Sequence, residues 1–451
     1  MSILFFLWGF AYGLLGTLNG QIQAILGYSA AQTIALHNAY WIAYFLGPLT
    51  FGYQVLSRWG FKATFITGLT IYAVGAMAFW PSSVLASFPG FFVSNFIIAL
   101  GLSVLETAAN PFIALAGPGE YSEARLNFAQ GIQGVGSVLS PILAKKALFK
   151  RIDGRAGLFD VQWCYLAVAL FVVFLAVIFF YVPLAEASDD ELEAIALQRL
   201  TNGDLERGDR AVGMPARALV LWAGVLIMLL YVGAQESISY FWEPLVIDVT
   251  PNQDPFWAQA IGHAVFAIGR FTAAGLAYMG VPPRLILSGF IIGAFITSLL
   301  FLVLPSNQGA LSTLILVAFF ESAIFPTLFA MALRGQGRYT KFASSALVMA
   351  ISGGAIWPSI AYGVNLAQPT MPRLTLIVPI ILYGVSIAYP VLISSNRTLR
   401  KWVDPKWSKR IPLFSLDISP DPRGPSPNSA SPLFVQEKYF EAQLPRIPEV
   451  T

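Results

Sequence analysis

The chain is poor in charge. Asp, Glu, Lys and Arg make up only 11% of its 451 residues, against about 25% in a soluble domain. Cysteine is nearly absent: Cys164 stands alone, which excludes an intramolecular disulfide. Histidine is limited to His37 and His263, and without a cysteine cluster they give no basis for a metal site. There is no Walker-type phosphate loop, no Gly-x-Ser-x-Gly and no His-Glu-x-x-His. An ATP-driven pump and the common hydrolases are therefore excluded, and no cofactor is expected beyond a proton as coupling ion. No basic segment precedes the first apolar run, so no cleavable signal peptide is expected. A net charge of +3 spread over short loops gives no reason to invoke nucleic acid.

What is present is apolar surface: 56% hydrophobic residues and a mean hydropathy of +0.67. Backbone polar groups in lipid must be satisfied within the chain, so spans are helices or closed barrels. The apolar runs here are about 20 residues long, the length of a membrane-crossing helix rather than of a barrel strand. Twelve spans are expected, at about 2–26, 33–56, 63–80, 88–116, 124–148, 160–183, 217–246, 256–279, 284–304, 309–333, 341–366 and 373–396. They are called spans 1 to 12 below. The polar break at 184–216 divides them six and six, and Ser188-Asp-Asp-Glu191 has capping-box spacing for a short surface helix. The organisation expected is all-α and polytopic, with twelve transmembrane helices in two pseudo-symmetric six-helix bundles. Residues 1–183 form the first bundle, 184–216 the linker, 217–397 the second bundle and 398–451 a tail, Pro/Ser-rich and too polar to fold.

Lys and Arg collect on the side of both termini: Arg58, Lys62, Arg125, Arg217, Arg284, Arg334, Arg338 and Lys341. That bias predicts cytoplasmic termini. The loop 145–155 disagrees, with Lys145, Lys146, Lys150, Arg151 and Arg155; its cations would order against lipid headgroups or against other outer loops.

Within span 4 a single glutamate interrupts an apolar run, Leu105-Glu106-Thr-Ala-Ala-Asn110-Pro111. An ionised carboxylate at mid-membrane costs about 3 kcal/mol on insertion scales, so it is kept for function or pairing. The pattern returns in span 10 as Glu321-Ser-Ala-Ile-Phe-Pro326. A membrane carboxylate used twice beside a helix-breaking proline points to a transporter built from two related halves. Weaker matches keep the same order: Leu7-Trp8-Gly9 with Tyr231-Val232-Gly233, His37 with His263, and Gly134-Val-Gly136 through Pro141 with Gly353-Gly354 through Pro358.

Glu106 and Asn110 lie four apart on one helix face, and Gln130 and Gln133 three apart on another. Such a set of donors and acceptors suits a polyhydroxylated ligand; interhelical hydrogen bonding is the alternative for the two glutamines. Glu106 could also exchange a proton. Gln235 and Ser239 share a face of span 7 and could line the same cavity, and His37 is either a ligand contact or a satisfied polar group. Glu321 is either functional or structural, paired with an arginine. Arg270 is expected to snorkel to the interface, with a gate or interhelical role as the lesser reading. Trp8, Trp41, Tyr44 and Trp357 could stack on a sugar ring, although packing is the default for each. Gly131, Gly134 and Gly136 form a small-residue stripe along which backbones can approach.

Several strings together resemble one family. Phe5-Phe-Leu-Trp-Gly-Phe-Ala11, Gly101-Leu-Ser-Val-Leu-Glu-Thr-Ala-Ala-Asn-Pro-Phe112, Arg125-Leu-Asn-Phe-Ala-Gln130, Tyr231-Val-Gly-Ala-Gln235, Phe325-Pro-Thr-Leu-Phe329 and Thr340 through Gly354 resemble the fucose permease branch of the major facilitator superfamily. The resemblance spans nearly all of residues 3–396. It implies alternating access and proton-driven sugar uptake at the plasma membrane, with Glu106 as the sugar- and proton-linked glutamate and Gln130 as a cavity glutamine. Gln133 stands where bacterial members carry asparagine. Arg58-Trp-Gly-Phe-Lys62 resembles a degenerate form of the superfamily's basic loop. One departure concerns span 1, where Gly16 replaces the family's aspartate; coupling then rests on Glu106 alone or is lost. The long basic loop and Pro-rich tail resemble eukaryotic, fungal members more than bacterial ones.

The reading is a monomeric secondary transporter, not an enzyme, moving a monosaccharide of the fucose, galactose or glucose type. Its substrate would meet Glu106, Asn110, Gln130, Gln133, Gln235 and His37, with Glu106 coupling the proton. A uniporter or exporter of another small polar metabolite, or a non-transporting nutrient sensor, are the alternatives.

Overall fold

The computed structural model describes residues 26–145, 157–203 and 208–405, with residues 2, 4–6, 8–10, 13, 14, 205 and 206. Of residues 157–162, 164 and 201–203 only the backbone is described. Gly16, the loop cations after Lys145, Arg207, the Cys164 side chain and the tail beyond 405 lie outside the described residues.

Eight helical stretches are long and apolar enough to cross a bilayer. One of them, Ala30–Val84, is two spans in one. Its helix breaks at Gly60, whose φ of +81° lies in a region that only glycine enters freely. Span 2 is thus Ala30–Gly47, a π-helical turn at Pro48–Gly52 and the start of Tyr53–Val84; span 3 is the rest. Glu186, just after span 6, restarts the helix by accepting from the amides of Phe61 and Lys62 at 2.7 and 2.8 Å. Span 4 is Phe88–Leu115, span 7 Ala216–Tyr240, span 8 Pro255–Tyr278 and span 9 Pro283–Val303. Span 10 is Gln308–Glu321 continued by Ile324–Leu333, span 11 Thr340–Met349 continued by Gly353–Ala367, and span 12 ends in Ile377–Ser386 and Ala388–Ser395. Span 5, Ser122–Leu143, is helical but diluted by charges and amides. Span 6 is Gly157–Tyr181, and the described residues of span 1 are helical.

The stretch expected as a linker holds a helix, Asp189–Gly203, and a two-stranded hairpin, Arg210–Ala211 with Met214–Pro215. The capping box forms as its spacing predicts: the Ser188 amide donates to Glu191 at 2.8 Å and the Glu191 amide to Ser188 Oγ at 3.2 Å. This helix and the terminal helix Arg397–Val403 cover one end of the molecule, called the linker end. Arg334 of span 10 is buried there, paired with Glu123 of span 5 and bonded to the Val403 carbonyl.

The repeat in the sequence is visible in the backbone crossings. A Cβ at Gly9 would strike the Gln133 backbone, and one at Gly136 the Phe6 carbonyl, so spans 1 and 5 touch through glycines. In the second half Gly233 meets Trp357 and Gly353 the Leu229 carbonyl, joining spans 7 and 11 in the same way. Spans 5 and 8 meet across the halves, where Gly131 faces the Phe271 ring and Gly134 faces Ala267.

Of the prolines inside these spans, four stand at paired positions: Pro111 and Pro326 in spans 4 and 10, Pro141 and Pro358 in spans 5 and 11. Each lacks the amide that would bond the carbonyl four residues earlier. All four carbonyls so released find a side chain on another span. Ser344 Oγ donates to Thr107 at 2.7 Å, Arg270 Nε to Ser322 at 3.1 Å and His37 Nε2 to Gly354 at 3.0 Å; His263 lies against the backbone of Ser137. Two of the three bonds and the His263 contact cross between the halves. The two histidines are equivalent: span 2 reaches span 11 as span 8 reaches span 5.

The histidine contacts lie toward the end opposite the linker, the far end. Asn38 adds a bond to Ser359 at 2.8 Å, and Lys145 pairs with Asp254 at 2.7 Å. That pair, with Lys145 also over the Phe256 ring at 4.0 Å, shows the first cation of the anomalous loop ordered against another far-end loop. Lys145 also holds the Asp254 carboxyl below the usual carboxylate range. With Arg334–Glu123 at the linker end, the halves touch at both ends. Removing both histidine ties (His37→Phe with His263→Phe) should weaken far-end closure by about 1–2 kcal/mol in total. Faster modification of a cysteine placed at Ser359 would be the readout; an unchanged rate would show that the ties do not hold this end.

Candidate functional site

Between the two ends at which the halves touch lies a layer of polar side chains contributed by spans 2, 4, 5, 7, 8, 10 and 12. Glu106 is partly buried. Tyr44 donates to its Oε1 at 3.4 Å, while its Oε2 is sealed from solvent with no hydrogen-bond partner among the described residues. One turn on, Asn110 Oδ1 accepts from Gln130 Nε2 at 3.2 Å. Asn110 and Gln130 are 1% and 3% exposed, so these amides have little access to water. Asn110 Nδ2 and Gln130 Oε1 are nevertheless buried without partners among the described residues. One unpaired donor and two unpaired acceptors therefore converge on adjoining faces of spans 4 and 5. Leaving such groups unpaired costs about 1–3 kcal/mol each, a cost that a ligand with complementary hydroxyls removes.

Arg270 does not snorkel. It is 9% exposed and lies at the junction of the halves. Its Nη1 donates to the Gln130 carbonyl at 2.7 Å and approaches Gln133 Oε1 at 3.4 Å. Its Nε bonds the Ser322 carbonyl, and its guanidinium lies 4.5 Å from the centre of the Phe266 ring. The expectation of an interfacial arginine fails because Pro326 releases Ser322 and so supplies a strong buried acceptor. The field of Arg270 also reaches Glu106.

The twin carboxylate Glu321 is buried at 7% exposure. Its partner is not an arginine: Tyr383 of span 12 donates to Oε2 at 2.9 Å. Tyr231 sits between Gln235 Oε1 and the Glu321 carbonyl, 3.0 Å from each. Gln235 is therefore tied within its own half. His37 is spent on Gly354 about two helical turns from Tyr44. Tyr44 and Trp41 pack with Tyr40 in one aromatic cluster, with Trp41 and Tyr44 5.5 Å apart. The structure thus brings Glu106, Asn110, Gln130 and Gln133 together and holds Gln235 and His37 to other tasks. Sequence reasoning underweighted Tyr231, Tyr383, Arg270 and Glu236. The signal available was an ionisable or hydroxyl group inside an apolar run.

Two helical halves that touch at both ends around a buried polar layer, meeting along spans 2, 4, 5, 8, 10 and 11, define a polytopic transporter. The model of the Major Facilitator Superfamily matches residues 1–358, and the chain belongs to that superfamily; it is a transporter, not an enzyme, with the twelve-helix fold. The L-fucose-proton symporter of Escherichia coli (strain K12) is 28% identical over 398 residues, 83% of this chain and 88% of that one. The glucose/galactose transporter of Brucella abortus biovar 1 (strain 9-941) is 28% identical over 391 residues, 81% of this chain and 88% of that one. A crystal structure of the E. coli fucose:proton symporter superposes with a TM-score of 0.70 at 25% identity, covering 86% of this chain and 96% of that one. The structure of a proton:xylose symporter, at 14% identity and a TM-score of 0.63 over 86% of this chain and 93% of that one, shares the fold. The chain is fucose permease-like.

Arg270→Ala should strip the Ser322 and Gln130 carbonyls of their donor and lower stability by about 3 kcal/mol. Arg270→Lys should recover less than half, because one ammonium cannot span carbonyls on two helices as a planar fork does. Unfolding temperature in detergent is the measurement; full rescue by lysine would show that charge alone matters.

Proposed function

We propose that the protein is a proton-coupled monosaccharide transporter working by alternating access, with fucose, galactose and glucose as the substrates to test first. The observation that carries this reading is the trio of unpaired polar atoms on Glu106, Asn110 and Gln130. A sugar hydroxyl both donates and accepts, so a ring with several hydroxyls can satisfy all three. The relatives named above for fucose or for glucose and galactose support the same class of substrate. Gln133 would hold Arg270 or trade it for a ligand hydroxyl.

Glu106 is the proposed coupling group. It has one weak donor in Tyr44 and a bare second oxygen, so a proton on Oε2 would neutralise it and turn an unpaired acceptor into a donor toward the sugar. The linker end is proposed to face the cytoplasm, following the Lys and Arg bias, in the plasma membrane. One chain carries both halves, so a monomer suffices. The proposed division is residues 1–183 and 217–397 as bundles, joined through 184–216. Uniport is the second reading, favoured by Gly16 in place of the family's aspartate.

Uptake of labelled fucose, galactose and glucose into proteoliposomes decides between these. Accumulation above equilibrium should require an inward proton gradient, and Glu106→Gln should reduce it to equilibration. Equilibration of the wild type without regard to the gradient would establish uniport, and no movement of any of the three would overturn the sugar assignment.

A further inference from the structure

The buried acids of the middle layer are not equivalent. Glu106 has Tyr44 and the field of Arg270; Glu321 has Tyr383. Glu236, in span 7, is 9% exposed and makes no hydrogen bond or ion pair with any described residue. A carboxylate in that setting is expensive as an anion and inexpensive as an acid.

Its position gives this a consequence. Gly354, whose carbonyl receives His37, is where spans 2 and 11 close the far end. A Cβ there would lie 2.7 Å from the Trp41 ring and 3.1 Å from Glu236 Cγ. Glu236 is thus packed directly beneath the seal. Tyr231 on its own helix, Glu321 from span 10 and Tyr383 from span 12 lie within its electrostatic reach; one turn on, Tyr240 is flanked by His37 from span 2 and Tyr362 from span 11. Only Arg270 among the middle-layer groups is a permanent cation. It is bonded to the Gln130 and Ser322 carbonyls and interacts with Glu106 and Tyr231, not with Glu236. Glu321 and Glu236 repel each other when both are charged. His37 is committed through Nε2 to Gly354 and packs edge-on to Tyr240 at 5.1 Å.

We propose that Glu236 is a second proton site of the transporter and that far-end closure requires it to be protonated. As an anion it must keep water, which the Trp41–Gly354 contact excludes; as an acid it tolerates the dry seal. A proton entering from the far end would bind Glu236 first and permit closure, whereas Glu106 reports on sugar. The proposal rests on the transporter reading but not on the identity of the substrate. It also makes proton coupling possible in a chain that carries Gly16 in span 1.

The test uses the full chain with Cys164→Ser and spin labels at cysteines replacing Ala31 and Gln368, exposed far-end positions on spans 2 and 11. Label distances are measured in lipid nanodiscs at pH 8 and pH 5.5 without sugar. The ratio of closed to open far end should rise about tenfold on acidification, the population change that corresponds to one unit of differential proton affinity. Glu236→Gln should be closed at both pH values. Glu236→Asp should keep the shift, and Glu106→Gln should keep it too. Persistence of the wild-type pH response in Glu236→Gln, or absence of any response in the wild type, would overturn the proposal. Sugar counterflow measured on the same variants separates the two readings: a pH-switched far end that moves no sugar sustains the role of Glu236 while removing the sugar assignment.

Discussion

A helix that crosses lipid has no water to repair a broken backbone bond, so a proline within it creates a debt at the carbonyl four residues earlier. In this protein four such carbonyls, at Thr107, Ser137, Ser322 and Gly354, set where the spans meet. Each draws a side chain from a neighbouring span: a serine, two histidines and an arginine. Three of these ties join the halves at fixed backbone positions, beside the close packing of spans 5 and 8. Such bonds are individually small, about 0.6–2 kcal/mol in membranes. An interface made of them can be parted one end at a time, which a rocking transporter requires.

The same prolines connect the joints to the site. Glu106 and Glu321 each precede a released carbonyl by one residue, so each carboxylate lies beside an interspan tie. Arg270 makes this explicit: it caps Ser322 in its own half, reaches the Gln130 carbonyl in the other, and contributes the positive field felt by Glu106. Chemistry at the carboxylates and contact between the halves share atoms. A change of charge or of ligand in the middle layer is consequently felt at the surfaces along which the halves separate.

The linker end is secured differently. Arg334 and Glu123 form a buried ion pair, and Arg199 and Arg334 also donate to the carbonyls of Trp402 and Val403 at the end of the terminal helix. Arg284 meets Asp404 at 2.7 Å. Charged groups serve here because the linker and terminal helices lie outside the apolar slab, where water can receive them on opening. At the far end the ties between the halves are mostly neutral, with Lys145–Asp254 as the exposed exception, while Arg373 pairs with Asp248 within the second half. The two ends thus differ in their sensitivity to salt and to protons.

Much of this was written in the sequence. The length of the apolar runs set helices and their number, because lipid admits few alternatives. The paired Glu-x4-Pro strings announced two related halves, and helical periodicity placed Glu106 with Asn110 and Gln130 with Gln133. The capping box at Ser188 was legible because it is local. Only the tertiary structure decided who answers the prolines. Arg270 read as an interfacial residue and His37 as a candidate ligand contact because their partners are backbone carbonyls, which leave no trace in residue identity. Glu321, whose structural reading called for an arginine, found a tyrosine from span 12, and Glu236 gained its importance from Gly354 in span 11. These are pairings across the fold between residues distant in the chain. A local pattern reports how a segment folds, but not which group from another segment will arrive to satisfy it.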